Sequence, residues 1–268
     1  MRLGPQVSKP IIWNYGGGKQ SVAIAVLITQ GKLPVPERAV IADTGREVSS
    51  TWRYLKEHAQ PLLDRVGLRV EIVPHSYALH DLYSTEGKPL MPMFTGDGGQ
   101  LGAFCSGEWK RDAVLRWLRE PERGYGPKNP VVQWIGYSRD EIGRCKPSRR
   151  KWADVQWPLL MGYGLTLSRQ DCVNVILDAG LPEPRKSRCK MCPFTRNEEW
   201  LDQKESDPAD HIEAITIDRE IRALDRDNAV YLHESRVPLE LVDLRRQDKP
   251  EHPLFGRGEN CDSAGCFT

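Results

Sequence analysis

The sequence lacks apolar segments long enough to cross a membrane, and it lacks an excess of either charge. Its longest apolar stretches stay well short of the roughly 20 residues that a membrane span requires. Its first residues do not show the basic-then-apolar pattern of a secretion signal. The 38 basic and 37 acidic side chains leave a formal net charge of +1, so the overall field that favours nucleic acid is missing. These absences predict a soluble, cytoplasmic protein without a membrane partner, in which any basic patch is local.

The chain is large enough for a substantial core. It has 268 residues, of which 39% are hydrophobic, and this places it in the globular class. No internal repeat is visible. We predict an α/β domain over residues 1–180, followed by a mainly helical region with several cysteines over residues 181–268.

Short apolar runs alternate with helical patterns in the N-terminal two-thirds of the chain. The runs predict strands at 10–14, 39–42, 69–73 and 131–136. Helical patterns follow the first two runs, return at 109–118, and reappear in a helix that begins at Thr166 or Ser168 and closes at Gly180. This alternation predicts a parallel sheet covered by helices on both faces. The irregular segment 74–102 is longer than an ordinary connection, which is typical of functional lids or disorder.

A glycine-rich turn separates the first predicted strand from the first helix. It reads Tyr15-Gly16-Gly17-Gly18-Lys19-Gln20-Ser21. Glycines allow backbone amides to approach phosphate oxygens, the following helix contributes its positive end, and Lys19 adds a charge. The spacing of a Walker loop is absent. A glycine turn that only reverses the chain is the alternative, and Lys19 and Ser21 favour the phosphate interpretation.

Cysteine spacing indicates a second site. The chain has seven cysteines, which in a reducing compartment serve as ligands, nucleophiles or small buried side chains. Cys189 and Cys192 are spaced so that both sulfurs can bind one metal, although this spacing also occurs in redox sites. We interpret Cys145 and Cys172 as structural.

A basic segment follows the last predicted strand. Five positive charges occur within residues 144–151. They could contact a polynucleotide backbone or the phosphates of a small substrate. A solvated loop is the alternative.

Six segments resemble, in order, the motifs of the PAPS reductase superfamily of PP-loop ATP pyrophosphatases. Gly16 to Ser21 resembles its Ser-Gly-Gly-Lys-Asp-Ser loop, with Gln20 in place of the acidic residue. The other five are Asp43-Thr44-Gly45-Arg46-Glu47, Phe104-Cys105-Ser106 with Lys110, Ile135-Gly136-Tyr137-Ser138-Arg139-Asp140-Glu141, Trp157-Pro158-Leu159, and 186–194 with its Cys-x-x-Cys-Pro-Phe element. The resemblance covers residues 11 to about 200, and the tail resembles that of phage-borne members.

The resemblance implies a Rossmann-like PP-loop fold that binds ATP with Mg²⁺ and directs attack at its α-phosphate. The nucleotide-binding residues would be Tyr15, Gly16, Gly17, Gly18, Lys19, Gln20, Ser21, Asp43, Thr44, Gly45 and Gly136. Lys19, Ser21 and Arg139 would be catalytic. For Asp43 the alternative is an Asx turn that caps the next helix, and for Arg139 it is an ion pair with Glu141 or another neighbour.

The resemblance also implies a metal held by cysteines. In the sulfate-reducing branch a tandem cysteine pair and a later Cys-x-x-Cys pair bind a [4Fe-4S] cluster. Here Cys105 stands alone beside Phe104, so Cys261 or Cys266 would supply a fourth ligand, or one iron would stay open and suited to holding sulfide. Zinc bound by four thiolates is the alternative.

Three functions remain open at this point. The first is an ATP-dependent sulfur transferase that uses a sulfur donor and acts on nucleic acid or a related acceptor, as DNA phosphorothioation and tRNA thiolation members of the superfamily do. The second is a reductase of PAPS or APS, in which Cys266 attacks sulfur and a thioredoxin-like reductant completes the cycle. The motif around Cys266 lacks the expected histidine, and a metal ligand or persulfide carrier fits this cysteine as well. The third is a nucleotide-binding module with structural zinc. No motif indicates the acceptor or the oligomeric state.

Overall fold

The computed structural model of the chain describes residues 9–224 and 229–245, so Cys261 and Cys266 lie outside the described residues. The strands are β1 (Ile11–Asn14), β2 (Arg38–Ala42), β3 (Val70–Val73), β4 (Phe94–Thr95), β5 (Val131–Ile135), β6 (Ala153–Gln156) and β7 (Val230–Tyr231). The α-helices are α1 (Lys19–Thr29), α2 (Ser49–Tyr54), α3 (Gln60–Asp64), α4 (Ala113–Leu118), α5 (Arg169–Asp178), α6 (Asn197–Ser206) and α7 (Pro208–Leu224). Segments Leu55–Ala59 and Gly107–Asp112 are π-helical, and His75–Tyr77, Arg139–Arg144 and Leu239–Leu241 are 3₁₀-helical.

The main sheet is parallel, as the sequence predicts. Its five strands lie in the order β3-β2-β1-β5-β6, and each neighbouring pair runs in the same direction. The strand order reverses between β1 and β5, where Asn14 is paired with Ile135. In sheets of this kind the loops that leave two such strands diverge and open a crevice. The glycine loop after β1 and the segment after β5 therefore lie on the two sides of this crevice, at the carboxyl edge of the sheet.

Helices cover both faces of this sheet. On one face α1 and α5 pack together in the largest core, which also contains Trp13 and Trp134. Every residue of α1 from Ser21 to Ile28 is buried, so this helix is apolar on all sides and shows no polar stripe. On the other face α4 contributes Val114, Leu115, Trp117 and Leu118 to a separate cluster. The α/β architecture predicted from the sequence is confirmed.

Helix α5 begins where one of the two predicted starts lies. The Ser168 hydroxyl accepts a hydrogen bond from Asp171 N at 3.1 Å, and the Asp171 carboxylate accepts one from Ser168 N at 2.8 Å. We expect Ser168→Ala to lower the free energy of unfolding by about 0.5–2 kcal/mol, because the helix start loses its cap. Urea unfolding measures this, with Thr166→Ala as the control, since the exposed Thr166 hydroxyl bonds only to Leu165 O. An equal loss in both variants would contradict the cap.

Segment 74–102 is packed in part, which corrects the expectation of disorder. Leu90, Met91 and Met93 are buried in a second core formed with α6 and α7, and β4 pairs antiparallel with β7. The apolar residues of this segment are scattered among glycines and prolines in irregular backbone, so no period exposes them in the sequence. This core contains residues from both sides of the predicted boundary at residue 180.

Strand β6 was not among the strands that the sequence predicts. It is an edge strand in which Ala153 is buried while Asp154 and Gln156 are exposed. A strand with few apolar residues has too weak an alternation to be recognised.

Candidate functional site

One cavity of about 540 Å³ unites the two sites that the sequence predicts. Gly16, Gly18 and Lys19 of the glycine loop line it, and the same lining includes the cysteines Cys105, Cys189 and Cys192. The loop follows β1, so the cavity lies at the carboxyl edge of the main sheet, where the strand order reverses. Ligands of open α/β sheets bind in this position.

The glycine loop has the geometry of an anion cradle. Gly16 N donates a hydrogen bond to Ser21 Oγ at 2.8 Å, which folds the loop over the start of α1. Gly17 has φ +76°, and a side chain there would collide with Thr51 Cγ2, so glycine is required. Gly18 is the N-cap of α1, whose first turn carries no acidic residue. The positive end of this helix is therefore available to an anion in the cavity.

Of the eleven predicted nucleotide-binding residues, Gly16, Gly18 and Lys19 line the cavity, whereas Tyr15, Gly17, Gln20, Ser21, Asp43, Thr44, Gly45 and Gly136 do not. The Tyr15 side chain is buried in the core against Trp13, with ring centroids 5.4 Å apart, so it does not line the cavity. Ser21 is also buried, and its hydroxyl holds the loop in place. Gly136 leaves room for α1, because a Cβ there would lie 3.1 Å from Ile24 Cδ1. Tyr15, Ser21 and Gly136 therefore support the loop and the adjacent helix and do not line the cavity.

The turn after β2 is an Asx turn. Asp43 Oδ1 accepts a hydrogen bond from Gly45 N at 2.7 Å, and Gly45 has φ +69°. The turn does not cap the next helix, because α2 begins only at Ser49. Thr44 is fully buried, and its hydroxyl lies 3.4 Å from Cys189 Sγ. Through Thr44, this turn therefore contacts Cys189.

Arg139 lies on the surface and does not line the cavity. The predicted alternative, an ion pair with Glu141, is not formed within the described residues. Glu141 instead pairs with Arg144 and with Arg169, whose guanidinium nitrogen is 3.6 Å away, and both arginines line the cavity. Arg144 belongs to the basic segment that the sequence singled out, but Arg169 carries no signal in the sequence beyond its helix start.

The rest of the basic segment is solvated. Lys146, Arg149, Arg150 and Lys151 are exposed, and none of them forms an ion pair with a described residue. Exposure of these four charges is compatible with both a solvated loop and a surface for phosphates, and of the five charges only Arg144 lines the cavity.

The cavity is strongly basic. Its lining includes three glutamates, Glu141, Glu183 and Glu199. It also includes eight basic side chains: Lys19, Lys110, Arg144, Arg169, Arg185, Lys186, Arg188 and Arg196. Burial lowers the pKa of Arg188, and the hydrogen bonds of its guanidinium go to the carbonyl oxygens of Cys189 and Glu199 at 3.4 and 3.0 Å. An anion with several charges is the ligand that this lining would attract.

Lys19 is engaged by a carboxylate of the cavity wall. Its ammonium group forms an ion pair with Glu183, which is partly exposed. A nucleotide phosphate would compete with Glu183 for Lys19. We expect Glu183→Gln to tighten ATP binding by about 2- to 5-fold, because the phosphate no longer has to displace a partly exposed ion pair, whose free energy corresponds to a change of this size. Isothermal titration calorimetry measures the affinity, and Glu122→Gln is the control, because Glu122 is exposed and does not line the cavity. Weaker ATP binding in Glu183→Gln would contradict this assignment.

The glycine loop contacts residues 187–192, which carry Cys189 and Cys192 and are called the cysteine turn below. Ser187, next to the loop glycines Gly17 and Gly18, donates a hydrogen bond to Glu47 Oε1 at 2.7 Å. Glu47 is buried, forms an isolated β-bridge with Cys189, and lies 3.7 Å from the Lys110 ammonium group. A ligand that moves the loop would therefore also act on the cysteine turn.

Cys105 and Cys189 pack against the second apolar core. Burial raises the pKa of Cys105 to about 12, and the negative charges of Cys189 and Cys192 add to this shift. Burial likewise raises the pKa of Cys189 to about 12, while the charge of Lys110 opposes the shift. Among residues 9–224 and 229–245, no three His, Cys, Asp or Glu side chains are arranged to hold a metal ion. Cys145 and the buried Cys172 do not line the cavity.

Comparison with known proteins gives no assignment. No family model matches the chain, and no curated protein matches it. In the part of the chain that the structure describes, no helix has both the length and the apolar character needed to cross a membrane. A functional assignment must therefore be argued from the cavity.

Proposed function

We propose that the chain is an ATP-dependent enzyme of the PAPS reductase superfamily that transfers AMP to an acceptor and then delivers sulfur to it. The observation that carries this proposal is the shared cavity, where a glycine loop, a lysine and three thiols face the same space. A nucleotide site alone would explain the loop and the basic lining. The thiols in the same cavity favour sulfur chemistry at the activated acceptor.

In the first step an acceptor oxygen attacks the α-phosphorus of ATP. The new oxygen–phosphorus bond forms as the bond to the bridging oxygen breaks, and pyrophosphate leaves with that electron pair. Loop amides, the positive end of α1 and Lys19 stabilise the charge on the phosphates. Because each glutamate of the lining is paired with a basic residue, Mg²⁺ would enter on the phosphate oxygens.

In the second step a donor supplies sulfur at the oxidation level of sulfide. The sulfur attacks the activated atom, and the acceptor oxygen leaves with AMP. Cys105, Cys189 and Cys192 supply the thiolate donors that iron–sulfur clusters and zinc both prefer, and Cys261 or Cys266 would complete the set. A [4Fe-4S] cluster with an open iron would hold sulfide for transfer, whereas zinc would have a structural role.

The exposed part of the basic segment supports a nucleic-acid acceptor. Lys146, Arg149, Arg150 and Lys151 follow Arg144, which lines the cavity, so a phosphate backbone on the loop would lead towards the site. The test incubates the anaerobically purified chain with α-labelled ATP and with single-stranded RNA or DNA. We expect the label to appear on the polymer and pyrophosphate release to increase. Release that no polymer increases would contradict a nucleic-acid acceptor.

A further inference from the structure

A buried carboxylate stands between the glycine loop and the two cavity arginines. Glu141 is 8% exposed, and donors reach its side chain from several elements. Gln20 Nε2, in the first turn of α1, donates to Oε2 at 2.6 Å, and Ser138 Oγ donates to the same oxygen at 3.1 Å. Oε1 faces Arg144 and Arg169. Glu141 therefore ties the loop helix to both guanidinium groups.

The two arginines are held in place by further contacts. Arg144, which ends the 3₁₀ segment after β5, lies over the Tyr137 ring at 4.5 Å from its centroid. Arg169 is the first residue of α5, and its backbone nitrogen donates to the Asp140 carboxylate. Both guanidinium groups contact Glu141, and both side chains line the cavity. A guanidinium group can bind two oxygens of one phosphate at the same time.

Glu141 explains why glutamine at position 20 fits where the loops of the PAPS reductase superfamily have an acidic residue. Those loops carry an acidic residue at this position, and a carboxylate there would face Glu141 at hydrogen-bonding distance. Two like charges that close destabilise each other, whereas the neutral amide donates to Glu141. Glutamine at position 20 and glutamate at position 141 therefore form a matched pair in this chain.

We propose that Arg144 and Arg169, held by Glu141 and Gln20, form a subsite for the terminal two phosphates of the nucleotide and for the pyrophosphate that leaves. The subsite rests on the proposed function and deepens it. The loop amides and Lys19 bind phosphate from one side of the cavity, and the arginines face the same cavity from the neighbouring elements. As the bond to the α-phosphate breaks, charge accumulates on the leaving group, and the guanidinium groups stabilise it.

The test measures binding of inorganic pyrophosphate, ATP and AMP to the full chain by isothermal titration calorimetry. We expect Arg169→Met and Arg144→Met to weaken pyrophosphate and ATP binding by about 10- to 100-fold, the effect of one charge-assisted hydrogen bond or pair. AMP lacks the two phosphates, so its affinity should change by less than about 2-fold. Arg119→Met is the matched control, because Arg119 is exposed and does not line the cavity.

The positioning role of Gln20 has its own readout. Gln20→Glu should weaken pyrophosphate binding, because it places a second carboxylate against Glu141. The double variant Gln20→Glu with Glu141→Gln exchanges the donor and the acceptor and keeps the net charge. We expect it to bind pyrophosphate more tightly than Gln20→Glu alone. A double variant no better than the single one would overturn the matched pair.

The outcomes separate the subsite from the proposed function. A wild-type chain that binds no pyrophosphate, or an Arg169→Met variant that binds it as the wild type does, would overturn the subsite. If pyrophosphate binding depends on Arg169 but ATP yields no AMP, the subsite stands and the proposed reaction fails. If AMP forms equally well in wild type and Arg169→Met, the reaction stands and the subsite fails.

Discussion

Lys19→Ala is expected to abolish AMP formation from ATP and to weaken ATP binding by about 100-fold. Lys19 faces the cavity at the first position of α1, where its charge adds to the loop amides and the helix end. Its partner Glu183 is partly exposed, so removing the ammonium group leaves no buried unpaired charge. The fold should therefore stay intact.

The control for this variant is Lys32→Ala. Lys32 is exposed after the end of α1 and does not line the cavity, so its loss should leave nucleotide affinity unchanged. Circular dichroism and urea unfolding establish that both variants fold as the wild type does. A folded Lys19→Ala protein with full activity would contradict the proposal that the glycine loop binds the nucleotide phosphates.

Cys189→Ser and Cys192→Ser should each remove the proposed metal from the anaerobically purified chain. A serine hydroxyl is a poor ligand for the soft metals that thiolates select, so one replacement removes most of the affinity. Metal analysis and the visible thiolate-to-iron absorption band measure the result. Cys145→Ser is the control, because Cys145 lies outside the cavity lining and should keep the wild-type metal content.

The identity of the metal decides between the alternatives for the cysteines. Iron with matching sulfide supports sulfur delivery, whereas zinc favours a structural site and the nucleotide-binding module. Unchanged metal content in either serine variant, or a wild-type chain without metal, would contradict the proposed ligands.

Local patterns made much of the fold predictable. The strands β1, β2, β3 and β5 are short apolar runs, and the glycine loop lies between a strand and a helix, so neighbouring residues contain the information. The start of α5 could be narrowed to Thr166 or Ser168 for the same reason, and Ser168 is the cap. Strand β6 and the packing of segment 74–102 depend on distant partners, which no local period reveals.

The site was predictable only in part. The loop and the three cysteines were found through their spacing and the family resemblance, and the cavity unites them. The partners of the loop were missed, because Gln20 and Glu141 are 121 residues apart in sequence. Lys19 and Glu183 are still farther apart in the sequence. Arg139 was chosen over Arg144 and Arg169 because a motif gives order along the chain but not the direction of a side chain.

The product of ATP turnover tests the central claim most directly. The anaerobically purified chain is incubated with ATP labelled at the α-phosphate, and the nucleotide products are separated. Attack at the α-phosphorus yields AMP or an adenylated acceptor together with pyrophosphate, and this is the result that we expect. ADP with inorganic phosphate would show attack at the γ-phosphate and would contradict the proposed function.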